Sequence, residues 1–278
     1  MTHSLANVAL SPDAFRVIAR LAHDEAGLAI PETKSAMVRT RIARRLRALH
    51  LSSFEDYLDL IQSDAGHAEI TMMISALTTN VSSFFRERHH FDTLVAWLAN
   101  RGSAWTAQSP VRIWSAGCAL GQEPFSIAMS ILKHFPDKAS CTRILATDID
   151  REALRFAQAA IYPTHMCEGL AAEDRHQFLS QVPSGHRVTQ DLRDMVHFRT
   201  LNLLESWPMR ARYDAIFCRN VVIYFDQPTK EDLWHRFRTL MTPESRLFVG
   251  HSERLPETEE AHFEKVGVTC YRPRPNTP

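Results

Sequence analysis

The sequence predicts an all-helical N-terminal bundle domain followed by a doubly wound α/β domain that carries a small inserted subdomain. Three observations support this. Residues 11 to about 80 hold apolar residues at helical spacing. From about residue 110, short strand-like runs alternate with helical ones, the pattern of parallel strands joined by right-handed crossovers. A longer polar stretch interrupts that alternation near 165–195. The expected boundaries are therefore 1–80 for the helical domain, 81–110 for a linker and 111–278 for the α/β domain.

Each element has a local cause. Ser11-Pro12-Asp13 offers a capping hydroxyl, a proline for the first helical position and an acid near the positive helix end. Phe15, Ile18, Leu21 and Ala22 form the stripe that follows, and Gly27 can end it. A second helix is expected over Lys34–Leu49 with Val38, Ile42, Leu46 and Leu49 on its apolar side. Ser53 with Asp56 caps a third, and Ile70–Thr79 forms a fourth. Strands are expected at Val111–Trp114, Arg143–Thr147, Val196–Thr200, Asp214–Cys218, Arg246–Val249 and Val266–Tyr271. Helices over Glu123–His134, Arg151–Ala160 and Gln227–Leu240 separate some of them, and Arg101–Pro110 reads as a loop.

Chemistry concentrates where these strands end. Ser115-Ala-Gly117-Cys-Ala-Leu-Gly121-Gln-Glu123 follows the first strand, and glycine there allows a tight turn and close approach of a ligand to the backbone. An acid two residues after the second glycine would repel a dinucleotide pyrophosphate. It would accept a cationic ligand with an amino group, which favours S-adenosylmethionine over NAD. Asp148, at the end of the second strand, is placed to accept ribose hydroxyls, and Asp150 reads as the cap of the next helix. Arg219-Asn220 follows the fourth strand, where open parallel sheets bind ligands. The Asn-Pro-Pro-Tyr sequence of nucleobase-amine methylation does not occur there.

Composition narrows the partners. Lys plus Arg and Asp plus Glu both number 32, so the net charge of zero gives no general pull toward nucleic acid or an anionic membrane. The second helix is the local exception. Lys34, Arg39, Arg41, Arg44, Arg45 and Arg47 occur with no acid between Thr33 and Phe54, a patch suited to an acidic protein surface or a phosphate backbone. The five cysteines lack metal or redox spacing and read as reduced thiols. No zinc-type histidine motif occurs, so no metal is expected. Neither a membrane span nor a secretory signal at Met1–Leu10 is evident, and a cytoplasmic monomer is the expectation.

Six segments stand in a recognisable order: Thr78–Glu87 (TTNVSSFFRE), Ser115–Pro124 (SAGCALGQEP), Ala146–Asp150 (ATDID), Asn202–Leu204, Phe217–Phe225 (FCRNVVIYF) and Val249–Glu253 (VGHSE). Over about residues 11–272 the chain closely resembles the bacterial chemotaxis receptor methyltransferases of the CheR type. The resemblance implies a Rossmann-like methyltransferase domain, with S-adenosyl-L-methionine as cofactor and S-adenosyl-L-homocysteine as product. It further implies transfer to glutamate side chains of methyl-accepting chemotaxis receptors as γ-methyl esters. It assigns cofactor contacts to Asn80, Ser82, Arg86, Gly117, Glu123, Asp148, Asn202, Leu203, Arg219 and Asn220. Arg86 and Tyr224 would serve the transfer itself, and Arg41, Arg44 and Arg45 would dock the receptor. Ser82 stands where threonine is common, and Gln122 replaces the first of two usual glutamates. The stretch Gln181–Asp194 is shorter and poorer in glycine than the small β-subdomain with which some members clamp a receptor's C-terminal pentapeptide. Other readings are a non-catalytic S-adenosylmethionine sensor, a nucleic-acid methyltransferase gripping through the basic helix, and a small-acid carboxyl methyltransferase.

Overall fold

The computed structural model describes residues 9–101 and 105–275. Met1–Val8, within the stretch read for a secretory signal, and residues 102–104 of the expected loop lie outside them. The chain forms two compact units. One comprises the residues up to Thr79 together with Tyr224–Asp226, and the other comprises Asn80–Ile223 and 227 onward.

The first unit packs α1 (Pro12–Ala26), α2 (Ser35–Ala48), α3 (Phe54–Gln62) and α4 (His67–Leu77). Ser11 caps α1 through Ala14 N–H, Gly27 ends it in the left-handed region, and Ser53 caps α3 through Asp56 N–H. Phe15, Ile18, Val38, Ile42, Leu46, Phe54 and Tyr57 form the core. Burial of such side chains, about 1.5–3 kcal/mol each, is what holds short helices together.

Two of the arginines expected to face a partner are spent inside this unit. Arg41 donates to the carbonyls of Leu77 and Thr78, both at 2.7 Å, and to Thr79 Oγ1 at 3.1 Å. It thereby satisfies acceptors that the end of α4 leaves open. Arg45 makes a two-pronged pair with the buried Glu69 at 2.9 and 2.7 Å, and Tyr57 Oη donates to the same carboxylate. Arg44 is exposed, as are Lys34, Arg39 and Arg47. The basic surface is therefore narrower than the sequence alone implies. Tyr224–Asp226 is tied into this unit: Ala29 N–H donates to the Tyr224 carbonyl at 2.8 Å, and His23 Nε2 lies 3.1 Å from Asp226 Oδ2.

The second unit is built on a seven-stranded sheet in the order β6-β2-β1-β7-β8-β10-β9. Its strands are β1 (Val111–Ala116), β2 (Thr142–Asp148), β6 (Val196–Thr200), β7 (Ala215–Cys218), β8 (Arg246–Val249), β9 (Phe263–Gly267) and β10 (Cys270–Pro273). The first five run parallel. The expected single strand Val266–Tyr271 is instead the tip of an antiparallel hairpin of β9 and β10, turned at Thr269 with φ 48°. Alternating polar and apolar residues there hide the turn from a periodicity reading.

The central strands are apolar on both faces because helices cover both. Trp114 packs edge-on against Trp207 and Phe237 on one side. Phe125 and Ile127 of α6 (Gln122–His134) belong to the core cluster that includes Ile113, Ile144 and Phe217. The order of strands reverses at β1, which has β2 on one side and β7 on the other, so the ligand crevice of such a sheet falls at their carboxyl ends. α7 (Arg151–Ala159) follows β2, and a helix over Gln227–Thr239 lies between β7 and β8 in the chain. Within 81–110, read as a linker, α5 (His89–Ala99) buries His90, Phe91, Leu94 and Leu98. A second, antiparallel sheet, β3 (Ile161–Tyr162), β5 (Gly185–Val188) and β4 (Leu179–Val182), occupies much of the expected insertion.

Arg45→Ala should destabilise the protein by about 3 kcal/mol, because it leaves the Glu69 carboxylate buried without its cation. Arg44→Ala, on an exposed position, should change stability by under about 0.5 kcal/mol. Denaturant unfolding of the two variants checks the contrast.

Candidate functional site

Four chain segments of the second unit meet beyond the carboxyl ends of β1, β2, β7 and β8. The first is the turn after β1. Gly117 has φ 85°, and a Cβ there would lie 2.3 Å from Val221 Cγ2. Only glycine permits both the conformation and the approach. Its N–H and that of Cys118 donate to the Thr147 carbonyl, which pins the turn to β2.

Asp148 closes that turn from below. Its Oδ2 accepts from Ala119 N–H at 2.8 Å and its Oδ1 from Asp150 N–H at 2.9 Å. Burial raises its pKa to about 6, while these backbone donors pull the other way. Asp150 caps α7 through Glu152 and Ala153 N–H groups, and its other oxygen accepts from Asn80 Nδ2 at 2.6 Å. The Asn80 side chain thus reaches the β2 end through a helix cap, a link invisible in the sequence.

The third segment is the Asn80–Glu87 strap. Phe84 is buried and packs edge-on against Tyr162 at 5.0 Å, while Phe85 N–H donates to Ser126 Oγ of α6. Gln122 Nε2 donates to the Ser82 carbonyl at 3.4 Å. Phe85 and Glu87 both have positive φ, at 52° and 56°, unusual for residues with side chains. Arg86 folds back, its guanidinium donating to the Val81 carbonyl at 3.0 Å.

The fourth segment follows β7. Arg219, 6% exposed, donates to Glu123 Oε2 at 2.9 Å and to the Arg86 carbonyl, lies 3.4 Å from Glu87 Oε2, and stacks over the Phe91 ring. Glu123 also accepts from Ser115 Oγ at 2.7 Å. Burial pushes the Glu123 pKa up and the Arg219 charge draws it back. Both oxygens of Glu123 therefore have partners within the protein, whereas the sequence reading reserves this acid for a ligand's amino group. Arg219 engages the strap and Glu123. Next to it, Asn220 adopts φ 60° and donates its N–H to the buried Glu253.

The remaining expected residues stand differently. Asn202 folds onto its own turn, Oδ1 accepting from Leu204 N–H, and Leu201 N–H holds that turn to the Asp148 carbonyl. The Leu203 carbonyl is taken by Trp207 Nε1 and Arg236. Tyr224 groups with the helical unit. Ser115, Glu87, His251 and Glu253 carry no role in the sequence reading, yet they hold the site's charged and backbone groups. Their one sequence signal is membership of the TTNVSSFFRE, SAGCALGQEP and VGHSE segments.

Glu87, His89 and His90 bring potential ligand atoms within 4.8 Å of one another. The Arg219 guanidinium and the N-terminal end of α5 already supply positive charge there, which works against a metal cation. Burial lowers the His90 pKa to about 3, so this ring is neutral.

Residues 80–272 match the family described as "CheR methyltransferase, SAM binding domain", and residues 13–78 match "CheR methyltransferase, all-alpha domain". The chain belongs to the CheR methyltransferase family. Among its CheR relatives, a probable chemotaxis protein methyltransferase of Rhizobium etli is 40% identical over 259 residues, 90% of this chain and 96% of that protein. Chemotaxis protein methyltransferase 2 of Pseudomonas aeruginosa is 39% identical over 252 residues, covering 89% and 88%. The Escherichia coli chemotaxis protein methyltransferase is 37% identical over 269 residues, covering 95% and 92%. This CheR protein is an S-adenosylmethionine-dependent methyltransferase. Its donor set suits that cofactor: a half-buried carboxylate at the end of β2 and a guanidinium at Arg86.

As a carboxylate, Asp148 accepts ribose hydroxyls more strongly than as a neutral acid. Its raised pKa of about 6 then sets the direction of the pH dependence. S-adenosylhomocysteine affinity should be level above about pH 7 and fall as pH drops through about 6. Asp148→Asn should weaken binding and abolish that slope. Calorimetric titration from pH 5 to pH 8 checks both.

Proposed function

We propose that this CheR protein methylates glutamate side chains of chemotaxis receptors, forming γ-methyl esters in adaptation. The observation that carries this reading is a buried cation, Arg219, held between two carboxylates at the strand ends, within a chain whose relatives at 37–40% identity are named chemotaxis protein methyltransferases. S-adenosylmethionine supplies, when bound, a methyl group on a sulfonium centre open to in-line displacement. A glutamate carboxylate, with an ordinary pKa of about 4.3, is ionised at neutral pH and requires no strong base. In keeping with this, the nearest buried histidine, His90, is held neutral and packs against Phe248 rather than aligning with a nucleophile.

The residues of the chain then have alignment and desolvation as their task, and good alignment can contribute roughly 7–11 kcal/mol. In this reading Asp148 accepts ribose hydroxyls, and Gly117 lets the turn after β1 close against Val221 of the loop after β7. Arg86 gives up its Val81 contact to bind a carboxylate. Arg219 favours the charged form of Glu123 against the cost of burial, and the acid remains bonded to Ser115. Tyr224 is proposed near the transfer point on motif match alone. Receptor docking is assigned to the exposed basic side chains Arg39, Arg44 and Arg47, with Arg41 and Arg45 holding the helix that bears them. The protein is proposed to act in the cytoplasm as a monomer, without nucleic acid. Among the described residues no helix is long and apolar enough to cross a membrane.

The test is incubation with tritiated S-adenosylmethionine and purified chemoreceptor cytoplasmic fragments. Base-labile label released as methanol, and mapped to glutamates, is the expected result. Label that resists base, or that appears only on nucleic acid, would refute the glutamate assignment. Arg86→Ala should reduce incorporation by about 10- to 100-fold, the loss expected for removing a charge-assisted contact to a bound carboxylate.

A further inference from the structure

The loop after β8, Gly250–Glu253, lies behind the site and contacts its residues without a ligand role in the proposed function. Glu253 is 3% exposed. Its Oε2 accepts from Asn220 N–H at 2.8 Å and from Gly250 N–H at 2.7 Å. The N–H groups of Val221 and Ile223 also favour its charged form, against the cost of burial. A carboxylate is thus embedded among backbone donors of the segment that carries Arg219 and Asn220. Asn220 occupies the left-handed region, φ 60°, a conformation that surrounding contacts must impose. Gly250 lets the two loops meet: a Cβ on it would lie 2.7 Å from Asn220 Nδ2 and 3.0 Å from Asn220 N.

The same loop has a second arm. His251 presents its backbone N–H at 3.2 Å and its ring Nδ1 at 2.8 Å to Glu87 Oε1. The other Glu87 oxygen lies 3.4 Å from Arg219. One short loop therefore holds Asn220 directly and Arg219 through Glu87.

We infer that Glu253 is a positioning residue for cofactor binding: its carboxylate is the template on which the loop after β7 takes the shape that presents Arg219 and Asn220. This rests on the placement of the cofactor at the Gly117, Asp148 and Arg219 crevice. A glutamine at this position has the same size and can keep its carbonyl oxygen on the Asn220 and Gly250 N–H groups, but it lacks the charge that strengthens those bonds and that the Val221 and Ile223 N–H groups also favour. An aspartate keeps the charge with less reach. Loss of the template acts on the ligand loop rather than on the strands beneath it.

The experiment pairs calorimetric titration of S-adenosylhomocysteine with melting temperatures for the full-length wild type, Glu253→Gln, Glu253→Asp and Glu69→Gln. The last variant loosens a buried carboxylate network of the helical unit and serves as the control for lost stability. Glu253→Gln should raise Kd at least about tenfold, with Glu253→Asp intermediate. Glu69→Gln should lower the melting temperature and leave Kd unchanged. If Glu253→Gln does not fold, the Kd of Glu253→Asp carries the test, a rise of at least about threefold being expected. Wild-type Kd in the foldable Glu253 variants overturns the inference, as does a loss no greater than that of an equally destabilised Glu69→Gln. Failure of the wild type to bind would overturn the crevice assignment and the inference with it.

Discussion

The Arg219 guanidinium is the constraint around which the second unit's site is arranged. It is almost wholly buried, and it joins three segments distant in sequence: the strap through Glu87 and the Arg86 carbonyl, the start of α6 through Glu123, and the end of β7 on which it sits. A buried guanidinium is costly unless its donors are met, and the penalty for removing one partner falls on the others. Two carboxylates held around one cation are therefore mutually dependent, and the crevice has its shape only when all three segments are in place. The positive φ values of Phe85, Glu87 and Asn220 lie on those same segments. They are backbone conformations that this network holds.

This arrangement also suits the chemistry. Methyl transfer from a sulfonium to a carboxylate destroys charge, so a poorly solvated site assists it more than a strong base would. Glu123 is tied to Ser115 and Arg219 rather than free, and Asp148 is tied to backbone donors. Each acid is thus held in orientation before any ligand arrives. Such preorganisation is what a transfer limited by alignment requires.

Much of the fold is legible in the sequence because its signals are local. Ser11 and Ser53 cap helices through contacts three residues away, and Gly27 ends a helix. The apolar runs of the parallel strands are short and bounded by turn residues, which suits a strand buried on both faces. The α5 helix escapes such a reading because Arg88 gives it no capping signal and its apolar residues resemble a linker stripe. The β9–β10 hairpin escapes it because the residues between its strands, Val268 and Thr269, are β-branched and carry no turn chemistry. For the site, Gly117, Asp148 and Arg219 are visible as polar or glycine residues at strand ends. Their partners are not, since Asn80 with Asp150, Glu87 with Arg219 and His251 with Glu87 are separated by 70, 132 and 164 positions and follow no periodicity. The reverse holds on α2, where a run of like charge conceals that Arg41 and Arg45 serve their own unit.

The strap, the Gly117 turn, the Asp148 end and the Arg219 loop are proposed to form one cofactor site. Backbone hydrogen exchange with and without S-adenosylhomocysteine is the decisive test. Amides in 80–87, 117–123, 148–150 and 219–221 should slow together on addition of the ligand. Protection that spares the strap, or that falls on a different part of the unit, would contradict it.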